Sequence, residues 1–272
     1  MPHKKRVILF KKKDLNDKYY QQLIKNNFDT EFIPVLDHKL VNIDAIKTII
    51  QNGPIKEQLC AMVLTSQRSV EAINEAYNEL ISLDQHVRDE WNSIPIYIVG
   101  PQTADALGHL PLFQNYRKDH RWIIAPRASE LIKSFSNTHD FKSTVLFLAG
   151  DKRREIIPEA LNAAHISFRE IKSYVTCAHP DLAHRIKKDD DNTLLQAADW
   201  TVYFSPSGLK FLLNHLDENT HFLAKSKIAS IGPTTSDYII NELGLNVHVE
   251  AEKPDAEHLV DAMINFSKKK IN

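Results

Sequence analysis

Glycine is scarce in this chain, with seven residues among 272. Neither G-x-G-x-x-G nor G-x-x-x-x-G-K-[ST] occurs, which excludes the glycine loops that cradle a dinucleotide or a triphosphate. A G-x-S-x-G nucleophile elbow is also missing, so hydrolase chemistry has little support. Cysteine is scarcer still: Cys60 and Cys177 have no C-x-x-C partner, which argues against structural zinc and a disulfide framework. Cys60 sits in an apolar run and reads as a small core residue, and Cys177 reads as part of a linker. The 13 histidines are scattered without H-E-x-x-H spacing, so no metal centre is expected. No sign of charge is in surplus, 34 basic residues against 35 acidic for a net charge of -1, which argues against a general nucleic-acid binder. No stretch approaches the ~20 apolar residues needed to span a bilayer. The apolar run after Met1-Pro2-His3-Lys4-Lys5-Arg6 is too short for a signal peptide. These absences set the expectation of a cytoplasmic protein with no cofactor, no metal, no nucleic acid and no membrane partner.

What is present is repetition on a hydrophobic content of 43%, enough for packed cores. Leu64-Thr65-Ser66-Gln67-Arg68-Ser69-Val70 precedes Ile96-Tyr97-Ile98-Val99-Gly100-Pro101-Gln102-Thr103-Ala104-Asp105. Tyr203-Phe204-Ser205-Pro206-Ser207-Gly208-Leu209 precedes Ile228-Ala229-Ser230-Ile231-Gly232-Pro233-Thr234-Thr235-Ser236-Asp237. Each copy reads strand, hydroxyl-rich turn, helix, strand, Gly-Pro-x-Thr, helix. A third element recurs, with Ala128-Ser129-Glu130-Leu131-Ile132 matching Ala256-Glu257-His258-Leu259-Val260. Repeated strand–turn–helix units predict two similar α/β domains, and hydroxyls at the helix starts of both suggest one anionic ligand held between them.

Val7-Ile8-Leu9-Phe10 reads as a buried parallel strand. Asp14 can cap a helix through Tyr19, Leu23 and Ile24; Glu31 to Val35 is a second strand, and residues 43–51 look helical. The middle supplies strands at 61–65, 96–99, 122–125, 144–148 and 168–173, with helices starting near Ser66, Pro101, Ser129 and Arg153. That set completes a doubly wound domain. The tail supplies three strands, at 201–204, 227–231 and 247–250. Three strands make a small sheet, so the N-terminal pair is expected to join it. One domain (40–172) is then inserted into another (1–36 plus 176–272), with crossovers near 36–42 and 172–180. Asp189-Asp190-Asp191 reads as a solvated loop, because adjacent like charges stay hydrated.

In α/β sheets the ligand crevice lies beyond the carboxyl ends of the strands. Thr65, Ser66, Ser205 and Ser207 fall there, as do the Gly-Pro-x-Thr turns at 100–103 and 232–235. Proline at the first helical position gives up an N–H that would be unsatisfied anyway; the remaining N–H groups and the threonine hydroxyl are expected to point outward and favour an anion. Any one of these residues can be a plain helix cap, but four such ends at one cleft favour binding. Lys11-Lys12-Lys13 and Lys152-Arg153-Arg154 follow strand ends and could meet a polycarboxylate or a phosphate, or could be ordinary solvated charge. Tyr174 lies at the second crossover. A phenol keeps its proton at neutral pH, so a tyrosine facing the cleft can donate it; the plainer reading is hinge packing.

These motifs, in this order and over nearly the whole chain, resemble the uroporphyrinogen-III synthase family. The carriers are Thr65-Ser66-x-Arg68-x-Val70, Val99-Gly100-x-x-Thr103-Ala104, Gly150-Asp151-x-x-Arg154-Glu155-x-x-Pro158-x-x-Leu161, and Tyr174 in the crossover. Phe204-Ser205-Pro206-Ser207-Gly208, Ile231-Gly232-Pro233-Thr234-Thr235 and the closing Glu252-x-Pro254-x-Ala256-x-x-Leu259 complete the set. Gln67 departs from the proline many relatives carry. The resemblance implies two doubly wound parallel-sheet α/β domains joined by a two-stranded linker. It implies a monomer that needs no cofactor and turns hydroxymethylbilane into uroporphyrinogen III, with inversion of ring D and loss of water. Tyr174 is the implied acid, and Thr65, Ser66, Thr103, Lys152, Arg154, Ser205, Ser207, Gly208, Thr234 and Thr235 the implied substrate contacts. The alternative is a non-catalytic two-domain protein that binds a polycarboxylate tetrapyrrole.

Overall fold

The structure, a computed structural model, describes residues 4–113, 121–137, 141–186, 198–216, 223 and 225–269. The acidic run 189–191 lies outside them. The chain divides into two compact units, residues 1–37 with 177–272, and residues 38–176. No helix among the described residues is long and apolar enough to cross a membrane.

The chain begins with β1 (Lys5–Phe10), α1 (Lys18–Lys25) and β2 (Phe28–Phe32). Asp17, not Asp14, caps α1: its carboxylate accepts from the Tyr20 N–H at 3.1 Å. Cap geometry favours Asp17 because it immediately precedes the first helical turn, where its oxygen reaches an N–H three residues on. β2 ends at Phe32, two residues before Pro34, which has no N–H for a ladder.

The chain continues through β3 (Leu36–Leu40), α2 (Ile43–Lys56), β4 (Leu59–Leu64), α3 (Gln67–Asn78), α4 (Gln85–Trp91) and β5 (Ile96–Val99). Next come α5 (Pro101–Gly108), β6 (Trp122–Ala125), α6 (Ala128–Leu131), β7 (Thr144–Gly150), α7 (Ile156–Ala163) and β8 (Phe168–Ala178). Pro54 breaks α2 at Gly53, as expected where a proline ring meets the preceding turn. α4 had no counterpart in the sequence reading; it buries Trp91, whose indole N–H donates to the Ile50 carbonyl at 3.0 Å. The last segment carries α8 (Leu182–Ile186), β9 (Trp200–Tyr203), α9 (Pro206–Leu213), β10 (Lys227–Ser230), α10 (Pro233–Asn241), β11 (Val249–Glu250) and α11 (Ala256–Lys269).

The two sheets have the same plan. One runs β11-β10-β9-β1-β2 with every pair parallel. The other runs β3-β8-β7-β4-β5-β6, parallel from β8 through β6. Without the edge strand β3, β6-β5-β4-β7-β8 reproduces β11-β10-β9-β1-β2 position for position. β1 and β2 thus stand where β7 and β8 stand in the other sheet. Both sheets are buried on two faces, so their central strands are apolar runs without alternation: Val7 to Leu9 are fully buried, as are Val63 and Leu64.

Winding reverses once in each sheet, between β4 and β7 and between β9 and β1. Connections leaving a sheet in opposite directions at such a point open a crevice at the strands' carboxyl ends. The topology alone therefore nominates the residues after β4 and β7 in one unit, and after β9 and β1 in the other.

Candidate active site

In the 38–176 unit that crevice is a cleft of about 390 Å³ lined by residues that include Thr65, Val99, Arg127, Arg153, Arg154 and Tyr174. Thr65 follows β4, Arg127 follows β6, and the two arginines at 153 and 154 follow β7. Thr65, Arg154 and Tyr174, all singled out from the sequence, share this one cleft.

Tyr174 owes its position to three features of β7 and β8. The register pairs Ala149 with Lys172 and then Gly150 with Tyr174, so Ser173 is an extra residue in a β-bulge. Bulges bend a strand and re-aim its side chains. The ring then lies across Gly150: a Cβ added there would sit 2.4 Å from Cζ and 2.6 Å from the hydroxyl oxygen. Only glycine leaves room for the ring at this point. On its other side the ring meets His38 edge-on, at 5.6 Å and 71°. The backbone is held too, since Asp151 N–H donates to the Tyr174 carbonyl at 3.1 Å. The Asp151 carboxylate accepts from the Thr176 N–H at 3.0 Å and the Thr176 hydroxyl at 3.1 Å. Among the described residues the Tyr174 hydroxyl has no hydrogen-bond partner, so it is free to donate to a ligand.

The cationic residues of the cleft differ in availability. Arg153 is spoken for: its guanidinium bridges Glu170 and Glu155, and those contacts hold it firmly protonated. Arg154 and Arg127 are exposed and make no ion pair among the described residues. Lys152 is exposed as well, but it is not among the residues that line the cleft. Arg127 escaped the sequence reading, although it stands between Pro126 and the recurring Ala128-Ser129-Glu130 motif, at the end of an apolar strand. Ser66 caps α3, accepting from the Arg68 N–H at 3.1 Å.

The Gly-Pro-x-Thr turns need a correction. Thr103 and Thr235 were expected to offer outward hydroxyls, but they are only 5% and 3% exposed. Each is the third residue of its helix, where the helical period turns the side chain back toward the sheet. The residues before them, Gln102 and Thr234, are the exposed ones.

In the other unit the same end of the sheet carries Ser205 as the cap of α9, accepting from the Gly208 N–H at 3.1 Å. Ser207 is partly exposed on the first turn. Gly208 is buried, and a Cβ there would lie 2.8 Å from Val35 Cγ2. Its position is therefore set by close packing of α9 on the 35–36 segment. The Lys11 cluster is not an open donor set either. The Lys11 ammonium pairs with Asp17, whose side chain is fully buried, and with Asp14 at 3.2 Å. It also faces the Tyr19 ring at 5.1 Å. Burial would raise the Asp17 pKa; the Lys11 ammonium and the Tyr20 and Asp14 N–H groups outweigh burial and lower it. Lys13 packs its ammonium 3.5 Å from the centre of the Tyr20 ring.

The family described as uroporphyrinogen-III synthase HemD matches residues 17–261. The uroporphyrinogen-III synthase of Schizosaccharomyces pombe is 32% identical over 256 residues, covering 92% of each chain. That of Saccharomyces cerevisiae is 30% identical over 278 residues, covering 98% of each. Among solved structures, the uroporphyrinogen-III synthetase of Helicobacter pylori aligns with a TM-score of 0.55 at 17% identity, over 97% of this chain and 99% of its own. A mutant uroporphyrinogen III synthase of Thermus thermophilus aligns with a TM-score of 0.51 at 13% identity over the same shares. At these identities the structural likeness speaks for the fold.

Proposed function

The chain belongs to the uroporphyrinogen-III synthase family, and on that premise we propose that its Tyr174-bearing cleft serves the cyclisation of hydroxymethylbilane to uroporphyrinogen III. The protein is a lyase of heme biosynthesis. The observation that carries the assignment of the site is the seating of Tyr174: a free phenol, fixed over Gly150, at the switch point of a doubly wound sheet.

The reaction asks little of the protein in covalent chemistry. The substrate loses its hydroxyl to leave an azafulvenium cation, ring D attacks through its substituted carbon, and a spiro intermediate fragments and recloses. Left to itself the substrate closes to the other isomer, so the enzyme acts chiefly by positioning. An acid helps the hydroxyl depart as water; the Tyr174 hydroxyl fills that role. The substrate's carboxylates call for donors, which Arg154, Arg127, Lys152, Thr65 and the capped start of α3 provide in this unit. Ser205, Ser207 and Thr234 are further candidates at the strand ends of the other unit. Thr103 and Thr235 are buried beneath their helix turns and the Gly208 N–H is committed to Ser205 Oγ, so these three shape the helix starts rather than supply donors.

Incubation with hydroxymethylbilane followed by separation of the I and III isomers tests the activity. Isomer III is expected. Isomer I alone, with the substrate bound, would return the chain to a polycarboxylate-binding protein. For the acid, Tyr174→Phe should lower turnover by roughly 10- to 10³-fold. Turnover equal to that of the unsubstituted protein would leave Tyr174 as a packing residue.

A further inference from the structure

We propose that a buried serine pair, Ser173 with Ser69, is the device that aims Tyr174, making both serines positioning residues for the reaction. The proposal rests on the reading of Tyr174 given above. Ser173 is the bulged residue itself: without it, residue 173 would pair with Gly150 and the tyrosine would fall beyond it. A bulge in a parallel pair is uncommon and disrupts the local ladder, so something must hold it. The Ser173 hydroxyl donates to Ser69 Oγ at 2.9 Å and reaches the Ala149 carbonyl at 3.1 Å. The Ser69 hydroxyl donates to the Leu148 carbonyl at 3.2 Å. On the opposite side, the Ser173 carbonyl accepts from the Val41 N–H at 3.0 Å.

Each hydroxyl carries one proton. Ser69 commits its own to Leu148, which leaves its oxygen to accept from Ser173. Both side chains are fully buried, at 0% exposure, where an unpaired hydroxyl is costly. Removing either one breaks the side-chain link between α3 and the bulge, leaving Ser69 with the Leu148 carbonyl alone or Ser173 with the Ala149 carbonyl alone. Ser69 also lies in the first turn of α3, three residues after the Ser66 cap. The pair thereby links two sides of the cleft, the tyrosine on β8 and the hydroxyl-capped helix after β4, through the end of β7. The coupling runs through side chains buried away from any ligand, so neither serine touches substrate.

The test uses protein labelled with ¹³C-tyrosine, the Tyr174 ring signal being assigned by its loss in Tyr174→Phe. Ser173→Ala, Ser69→Ala and the double variant are compared by that signal, by steady-state kinetics and by melting temperature. The expected result is a displaced Tyr174 signal in each single variant and a kcat lowered roughly 10-fold, short of the ~10²-fold that a 1 Å misplacement can cost. KM should stay within about twofold, because the carboxylate donors are untouched. The double variant should resemble the single ones, since residues acting as a unit are not additive. An unmoved Tyr174 signal in both single variants, with only the melting temperature lowered, would overturn the proposal. So would strictly additive losses. A displaced signal with unchanged turnover would uphold the pair as a positioning device and overturn the reading of Tyr174 as the acid.

Discussion

The turn that opens α5 and the turn that opens α10 are written in nearly the same letters, and the basic runs after β7 and β1 are similarly alike. Yet the two units use them differently. After β7, one arginine neutralises itself against Glu155 and Glu170 while Arg154 stays open beside Tyr174. After β1, partly buried Lys11 is taken up by an ion pair with buried Asp17 and by the aromatic rings of Tyr19 and Phe32. A repeated motif at a switch point thus specifies a helix start and a crevice, but not whether charge in the crevice is available. Availability depends on how the nearby acids are used: Asp14 and Asp17 both pair with Lys11, whereas Glu155 is taken up by Arg153 and Arg154 makes no ion pair among the described residues.

The largest effect should come from the seat of Tyr174. Gly150→Ala puts a methyl where the ring now lies, and overpacking a closed contact forces the ring away. We expect turnover to fall by about 10²-fold or more, the scale of an ångström misplacement, with the protein still folded by circular dichroism. Activity near that of the unsubstituted protein would mean the ring has another resting place. Next in size is the pair of open arginines. Arg154→Ala and Arg127→Ala should each raise KM by roughly 5- to 30-fold, as loss of a charge-assisted contact of about 1–2 kcal/mol implies, with kcat little changed.

The same truncation on the β1 side should read out as stability instead. Asp17→Asn keeps an oxygen to cap α1 but removes the buried carboxylate that faces Lys11, leaving that ammonium with Asp14 alone. A loss of about 1–3 kcal/mol is expected in urea melts, the range for a partly buried charge-assisted hydrogen bond, with KM unmoved. The pH dependence follows from the sign of the shift. Because the folded state holds the Asp17 pKa below the 3.8 of an ordinary aspartate, its contribution is complete above that value. It disappears as pH falls through the lowered folded pKa. Asp17→Asn should therefore flatten part of the acid limb of the stability curve and leave the neutral-to-basic region parallel.

Much of this was legible in the sequence because its signals are local. Unbroken apolar runs marked the central strands, and Pro101 and Pro233 marked helix starts to the residue. Thr65, Arg154 and Tyr174 could be named because each follows or interrupts a strand end. What escaped depends on partners far along the chain. The bulge at Ser173 is visible only once β7 is laid beside β8, and its serine partner is 104 residues away. α4 exists to cover the α2 face with Trp91, a tertiary reason that a seven-residue helix does not advertise. The capping residue of α1 was misread because Asp14 and Asp17 both fit the composition of a cap, and only backbone geometry separates them. The burial of Thr103 and Thr235 follows from helical period, which motif likeness alone ignores.

The smallest expected effect is also the sharpest comparison, because it concerns one letter shared by both turns. Gly100 has φ 87°, in the left-handed region, while Gly232 has φ 169°, ordinary extended backbone. Gly100 N–H also donates to the Ala125 carbonyl at 2.8 Å, which ties the unusual conformation to β6. A Cβ at Gly232 would meet nothing within 4 Å. At Gly100 it would meet only ordinary contacts, with Thr103 Oγ1 and Gln102 Oε1 both at 3.8 Å. Space therefore does not distinguish the two positions; backbone conformation does. Gly100→Ala should cost about 1–2 kcal/mol, the range for a non-glycine residue forced to positive φ. Gly232→Ala should be neutral or slightly stabilising, by up to about 0.5–1 kcal/mol, because alanine restricts the unfolded chain at a site it can adopt without strain. Paired denaturation curves decide it: equal losses at both positions would mean that the two turns share one constraint after all, and that the difference in φ is not what makes glycine necessary.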